Sequence, residues 1–342
     1  MQADGAATAV RATEAARIAR CALACPPAAP LASTSCPLTH LPASTSSRRL
    51  QAYVLLAASM ALVGSYVALS KPLVAVLPVF ALAFLRFGIA AVAMLPWTTR
   101  AAGEPPLTRQ EHWQLFTMSF FGNFLFSICM LSGIALTTAT AAGVILATLP
   151  AVVALLSWLL LRERLGARAL AAVVLAVGGI ALLQFARGEA DASLRANLVG
   201  NLLMLGAVVC EAIYVILAKR LAAGRAPLRV SALINLWGLA LMTPLGLWQL
   251  STLDLDAVTP ALWLLLVFYA LAASLFAVWL WMAGMKHVKA NEAGVFTVAL
   301  PISATLVGVL LLGEQFTLLH ATALLLATAG VVLIATAPAT RT

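Results

Sequence analysis

Residues 142–163 read AGVILATLPAVVALLSWLLLRE, and residues 293–314 read AGVFTVALPISATLVGVLLLGE. In each copy a proline, Pro150 or Pro301, follows the glycine by seven positions, and a glutamate, Glu163 or Glu314, follows the proline by thirteen. Between glycine and glutamate the residues are almost all apolar, so neither stretch is stable in water. The correspondence runs outward in both directions. Gly179 and Gly330 share the offset of 151, and FLFSICMLSG ending at Gly133 lies opposite LFAVWLWMAG ending at Gly284. Further back, Tyr66-Val-x-Leu-x-Lys71 answers Tyr214-Val-x-Leu-x-Lys219 at an offset of 148. The chain is therefore a duplication of a unit of about 140 residues, and the repeat governs every local assignment.

Composition narrows the class. Of 342 residues, 63% are hydrophobic and 10% charged, with a mean hydropathy of +1.02, which excludes an ordinary soluble domain and implies a polytopic helical membrane protein. The net charge of +9 is spread over the connections between apolar runs, so it forms no nucleic-acid-binding stripe. Five cysteines, Cys21, Cys25, Cys36, Cys129 and Cys210, lack ligand spacing, and the last two lie in apolar runs as small hydrophobes. His40, His112, His287 and His320 occupy unrelated positions, so no metal site is expected.

Residues 1–50 are rich in Ala, Ser, Thr and Pro and fit a secretory leader poorly; a disordered cytoplasmic tail is expected. Ten apolar runs follow, at 51–70, 77–97, 113–134, 139–160, 166–185, 197–218, 230–250, 260–284, 290–312 and 318–337. Each is long enough to cross roughly 30 Å of hydrocarbon. The first repeat covers 51–185 and the second 197–337. Seventeen basic residues then fall in the tails and connections on one side, against Lys71, Arg187 and Arg195 on the other, with Arg86 inside a span. That asymmetry places both termini in the cytoplasm. Five spans per repeat is an odd number, so the second repeat enters in the opposite sense, the plan of many alternating-access proteins. The fold class expected is all-α, with ten transmembrane helices in two inverted five-helix repeats.

Several residues are candidates for function. Pro150 and Pro301 sit near the middle of spans 4 and 9, where each bends its helix and frees the carbonyl four residues back, at Leu146 and Thr297. Two such prolines at equivalent depth suggest helices shaped around a central cavity. Arg86 and Glu211 are ionisable residues away from span ends, and burying either charge costs several kcal/mol unless something compensates. Glu211 reads either as a proton-linked or cation-attracting site or as a hydrogen-bonded helix residue. Arg86 reads as a helix anchor or a carboxylate partner before it reads as a substrate ligand. Tyr66 and Tyr214 match across the repeats, with Ser65 beside the first; Asn123 in span 3 matches Ser274 in span 8, which also carries Trp279. An amide, hydroxyls and aromatic faces suit an amphipathic solute, although Asn and Ser also bond neighbouring helices. Glu163 and Glu314 close long helices, where a carboxylate opposes the helix dipole, so another helix or a basic group must compensate and the role is structural or gating. No nucleophile triad, phosphate loop or cofactor fingerprint is present in the sequence, which argues for a carrier over an enzyme.

These residues carry a family likeness. In LVGSYVALSKP, FLRFGIA, GIALTTATAAGVILATLP with LLLRERL, AIYVILAKR, MKHVKANEAGVFTVALP and LLLGEQ, the chain resembles the EamA-like branch of the drug/metabolite transporter superfamily across residues 51–337. The resemblance implies a ten-span inner-membrane protein with a central pathway bordered by spans 1, 3, 4, 6, 8 and 9. Members are often exporters of amino acids or other small metabolites. Carried onto this sequence, the pathway takes Ser65, Tyr66, Asn123, Pro150, Glu211, Tyr214, Trp279 and Pro301, with Arg86, Glu163 and Glu314 in structural or gating roles. The opening departs from the commoner Trp-Gly-Ser-Ser-Phe by reading Leu62-Val63-Gly64-Ser65-Tyr66. The expectation is a secondary carrier of a small organic solute in a bacterial-type inner membrane, needing no cofactor and no nucleic acid, with proton coupling left open. One chain suffices for a pathway, and a dimer is compatible with it. The rivals are an exchanger or flippase of sugar-linked or lipid-linked metabolites and a non-transporting scaffold.

Overall fold

A computed structural model describes residues 45–99, 106–161, 167–185, 191–221, 226–251, 258–285, 288 and 290–336. The expected disordered tail falls largely on residues 1–44, and Glu163 on 162–166, both outside the described residues. Among the described residues the chain is helical throughout, with no strand. The helices are α1 (Thr45–Val76), α2 (Val79–Thr98), α3 (Arg109–Leu136), α4 (Ala139–Leu161), α5 (Ala167–Phe185), α6 (Asp191–Leu221), α7 (Pro227–Leu250), α8 (Pro260–Met285), α9 (Ala290–Leu310) and α10 (Leu318–Ala335). Eight are long and apolar enough to cross a membrane; the apolar stretches of α5 and α10, Ala167–Leu182 and Leu318–Leu333, are shorter. The first helix begins at Thr45, so the last residues assigned to the tail are helical.

Local sequence marks the helix ends. Thr108 opens α3 with a capping box, accepting from the Glu111 amide while the Glu111 carboxylate accepts from the Thr108 amide. Thr138 caps α4 by accepting from the Ala141 amide at 3.1 Å. The Gln249 side chain of α7 accepts from the first amides of α2, Phe80 at 2.7 Å and Ala81 at 3.1 Å. Those amides have no partner within their own helix, so the bond both ends α2 and fixes α7 beside it.

Small residues let the helices cross closely, and the crossings come in pairs. A Cβ on Gly133 of α3 would stand 2.9 Å from Met204 and 3.0 Å from the Gly200 carbonyl of α6. One on Gly284 of α8 would stand 2.7 Å from Leu56 and 3.1 Å from the Ala52 carbonyl of α1. Positions 52 and 56 map to 200 and 204 by the offset of 148, as 133 maps to 284 by 151. The same reciprocity holds where Gly179 of α5 faces the Ala323 carbonyl of α10 at 3.3 Å and Gly330 of α10 faces that of Ala172 at 3.4 Å. Each repeat meets the other through matched contacts, which is what a two-fold relation produces. Without a hydrophobic drive between helices in lipid, close backbone approach of this kind supplies the association.

The duplication also repeats its irregularities. The carbonyl freed by Pro150 is that of Leu146, and the first half of α4 (Ala139–Leu146) ends there before the helix resumes at Leu149. In α9 the helix Ala290–Val295 tightens into a 3₁₀ turn at Phe296–Val298 and resumes at Ala299, just ahead of Pro301. Helices α3 and α8 each contain a π turn, at Phe120–Leu125 and Ala272–Phe276, again at matched positions. Such turns leave backbone geometry that a regular helix would not tolerate, and they occur disproportionately at functional sites.

Candidate functional site

Helices α1, α2, α3 and α8 meet at a polar cluster in the middle of the bundle. Tyr66 of α1 meets Tyr269 of α8 edge to face, with ring centroids 5.7 Å apart. Arg86 of α2 is buried beside them, its guanidinium 4.2 Å from the centroid of Phe87 and 5.7 Å from that of Tyr269. Its Nη2 donates to Ser127 Oγ of α3 at 3.2 Å, while its Nε and the Tyr269 hydroxyl are buried without a hydrogen-bond partner. No ion pair reaches Arg86 among the described residues. The ring faces and one hydroxyl therefore carry what a carboxylate would otherwise offset.

Glu211 of α6 lies within electrostatic reach of Tyr66 and of Tyr214 one turn further on. It is half-buried, and no hydrogen bond or ion pair joins its carboxylate to another described residue. Tyr214 packs against the π turn of α3, where a Cβ on Gly122 would stand 2.6 Å from its ring. Only glycine leaves room for that ring, so Gly122 and Tyr214 fit as a pair.

The other sequence candidates divide by what they touch. Asn123 Nδ2 donates to the Ile234 carbonyl of α7 at 3.0 Å, beside Ser119 Oγ at 2.7 Å. Its repeat mate Ser274 donates to Asn235 Oδ1 of α7 at 3.3 Å, and Asn235 Nδ2 donates to the Phe87 carbonyl at 3.1 Å. The matched polar pair therefore converges on consecutive residues of α7 and ties α3, α8 and α2 to it. Ser65 bonds within its own helix, to the Ala61 carbonyl at 2.8 Å. Trp279 is half exposed. Pro301 is buried and Pro150 half-buried; α4 and α9 cross where a Cβ on Gly143 would stand 2.6 Å from Ala304 and 3.5 Å from Pro301.

At one end of the bundle Glu314 makes a different arrangement. Its carboxylate accepts from the Ala139 amide at 2.6 Å, from the Thr140 amide and hydroxyl at 2.9 Å each, and from Lys71 Nζ at 3.1 Å. Gly313, with φ of 67°, turns the chain back so that the Glu314 amide reaches the Gly308 carbonyl at 2.9 Å. The compensation expected for this helix-end carboxylate is thus the amino end of α4 plus a lysine from α1. Burial pushes the carboxyl up, but the Thr140 and Ala139 amides and the Lys71 ammonium outweigh it and hold Glu314 below the usual value. Three separate helices are joined at this point.

Two features escaped the sequence reading. Tyr269 has no repeat mate, since Met118 occupies the matched position, so the duplication could not flag it; its signal was a tyrosine hydroxyl at mid-span. The pairing of Lys71 with Glu314 escaped although both members are duplicated, as Lys219 and Glu163, because 243 residues separate the two in sequence.

A duplicated, apolar helical bundle with a polar centre and a charged latch at one end is the build of a multi-pass membrane transporter. The chain belongs to the EamA-like transporter family, which it matches over residues 50–185 and 198–336, one match for each repeat. It is 38% identical over 275 residues to the Uncharacterized transporter YetK of Bacillus subtilis (strain 168), covering 80% of this chain and 83% of that protein. It is 30% identical over 199 residues to the Uncharacterized transporter YwfM of the same organism, covering 58% of this chain and 63% of that one. A solved crystal structure shares the fold, with a TM-score of 0.53 at 18% identity over 85% of this chain and 96% of its own.

Proposed function

We propose that the protein is a secondary transporter that exports amino acids or other small organic metabolites by alternating access. Ten spans in two inverted repeats would rock about the matched crossings, with both termini in the cytoplasm. The observation that carries this reading is Glu211: a carboxylate without a partner among the described residues, within electrostatic reach of Tyr214 and of Tyr66, whose ring packs on Tyr269. A charge left uncompensated there favours a cationic group or a proton as its occupant. The Lys71–Glu314 latch serves as the gate at the end that the distribution of basic residues assigns to the outside. Uniport and proton coupling differ in whether Glu211 exchanges a proton during the cycle.

The test compares extracellular metabolites from cells producing the intact protein and cells producing a Tyr66→Ala/Tyr214→Ala double variant at equal membrane levels. A solute enriched outside only with the intact protein identifies the cargo. Purified protein in liposomes, with and without a pH gradient, then decides coupling. Matched media under several nutrient loads would remove export and turn attention to uptake or to lipid-linked cargo.

A further inference from the structure

Two cysteines are free among the described residues, Cys129 half-buried on α3 and Cys210 buried on α6. The crossing of the two helices brings them together. Cys129 Sγ lies over α6, 3.6 Å from where a Cβ on Gly206 would stand, and Cys210 is one turn further along the same face. Each thiol lies near enough to the other to act on its acidity. Because α3 belongs to the first repeat and α6 to the second, this thiol pair straddles the repeats.

Packing alone does not call for thiols here. By the offsets of 148 and 151, the equivalent positions in the other copy of this crossing are Leu62 on α1 and Leu280 on α8. Where the duplication offers an apolar pair, this crossing carries two soft, polarizable nucleophiles, one of them only half-buried. Cys210 also directly precedes Glu211, so the pair adjoins the polar centre.

We propose that Cys129 and Cys210 form a dithiol site that takes a bidentate thiophile, of which a trivalent arsenical is the simplest, and that a molecule held there ties one repeat to the other. The chemistry balances without an oxidant. For an arsenoxide, two S–As bonds form, the As–O bond is lost, and the two thiol protons leave with that oxygen as water; arsenic stays trivalent throughout. Capture by both sulfurs converts the second bond into an intramolecular step, which raises retention by a factor of roughly a hundred or more over a single thiol.

The test uses the full chain in lipid nanodiscs with Cys21, Cys25 and Cys36 replaced by serine, treated with phenylarsine oxide and weighed intact. One arsenical per chain is expected, surviving a monothiol wash and released by 2,3-dimercaptopropanol. Cys129→Ser and Cys210→Ser, each alone, should lower retention by about a hundredfold. A measurement free of further substitution runs beside it: treatment should remove two maleimide-reactive thiols from the denatured chain, where capture by one sulfur removes one. Absence of an adduct, loss of a single thiol, or retention unchanged in either serine variant overturns the proposal. Nothing in these readouts needs a transported solute, so this site and the carrier reading fail independently.

Discussion

Among the described residues two carboxylates reach into this bundle, and the fold treats them in opposite ways. Glu314 is met by two backbone amides, a threonine hydroxyl and a lysine, at distances of 2.6–3.1 Å. Glu211 is met by no donor among the described residues, although Tyr66 and Tyr214 lie within electrostatic reach of it. A carboxylate in low-dielectric surroundings costs several kcal/mol when left alone, so the arrangement at Glu314 offsets its cost and the arrangement at Glu211 leaves it standing. Arg86 resembles Glu211 in this respect, with one donor used and Nε unpartnered. The satisfied charge stands at the end of the bundle and the unsatisfied ones at its centre. On the proposed reading, that contrast separates residues that hold a conformation from residues that meet the solute or a proton.

The largest effect expected from this contrast is on transport. Glu211→Gln keeps the shape and removes the charge, so export should fall on the order of a hundredfold, the worth of a charge-assisted contact of up to about 3 kcal/mol. Thermal stability should stay level or rise, since removing an unpaired, half-buried charge relieves a cost. Full transport by this variant across a wide pH range would show that the carboxylate has no occupant, and the centre of the bundle would lose its special standing.

The converse is expected at the end of the bundle. Glu314→Gln should lower unfolding stability by about 2 kcal/mol, because one amide oxygen cannot replace a carboxylate that accepts four bonds. Lys71→Met should cost less, about 1 kcal/mol or below, since its side chain is 32% exposed and solvent already screens the pair. Thermal melts of the single and double variants in the same lipid give the coupling between them. If Glu211→Gln destabilised the fold more than Glu314→Gln, the assignment of the two carboxylates would be reversed.

A smaller and more local test addresses the Tyr214 environment. Gly122→Ala would push a methyl against the Tyr214 ring at 2.6 Å and should cost about 1–3 kcal/mol, whereas Gly88→Ala, with nothing within 4 Å, should change little. Equal melting temperatures for the two variants would mean that the π turn of α3 yields freely and does not position the ring.

Much of this architecture was legible because duplication writes a structural requirement twice. Pro150 and Pro301 marked the breaks in α4 and α9, and Gly133 with Gly284 marked the crossings, each copy vouching for the other. The centre was less legible for the opposite reason. Tyr269 and Ser127 stand at positions whose repeat mates are Met118 and Val278, so periodicity says nothing about them. Asn123 and Ser274 were visible as a matched pair, but a matched pair of hydrogen-bonding side chains serves helix packing as well as a pathway, and here both donate to α7. Symmetry reports what the fold needs, and it is silent on the side chains at the centre that break it.

The smallest effect concerns acidity at the latch. A carboxyl held below its usual value of 4.5 binds fewer protons folded than unfolded, so its contribution to stability is complete above that value and declines as pH falls through the lower, folded one. Between pH 6 and 8, roughly, the stability difference between the intact protein and Glu314→Gln should therefore be flat, and it should shrink only below about pH 4.5. Subtracting the two melting curves cancels other titrating groups to the extent that they are common to both proteins. A difference already vanishing near neutrality would mean that burial outweighs the amides and the lysine, which would place Glu314 beside Glu211 as a carboxylate the fold leaves exposed to its own cost.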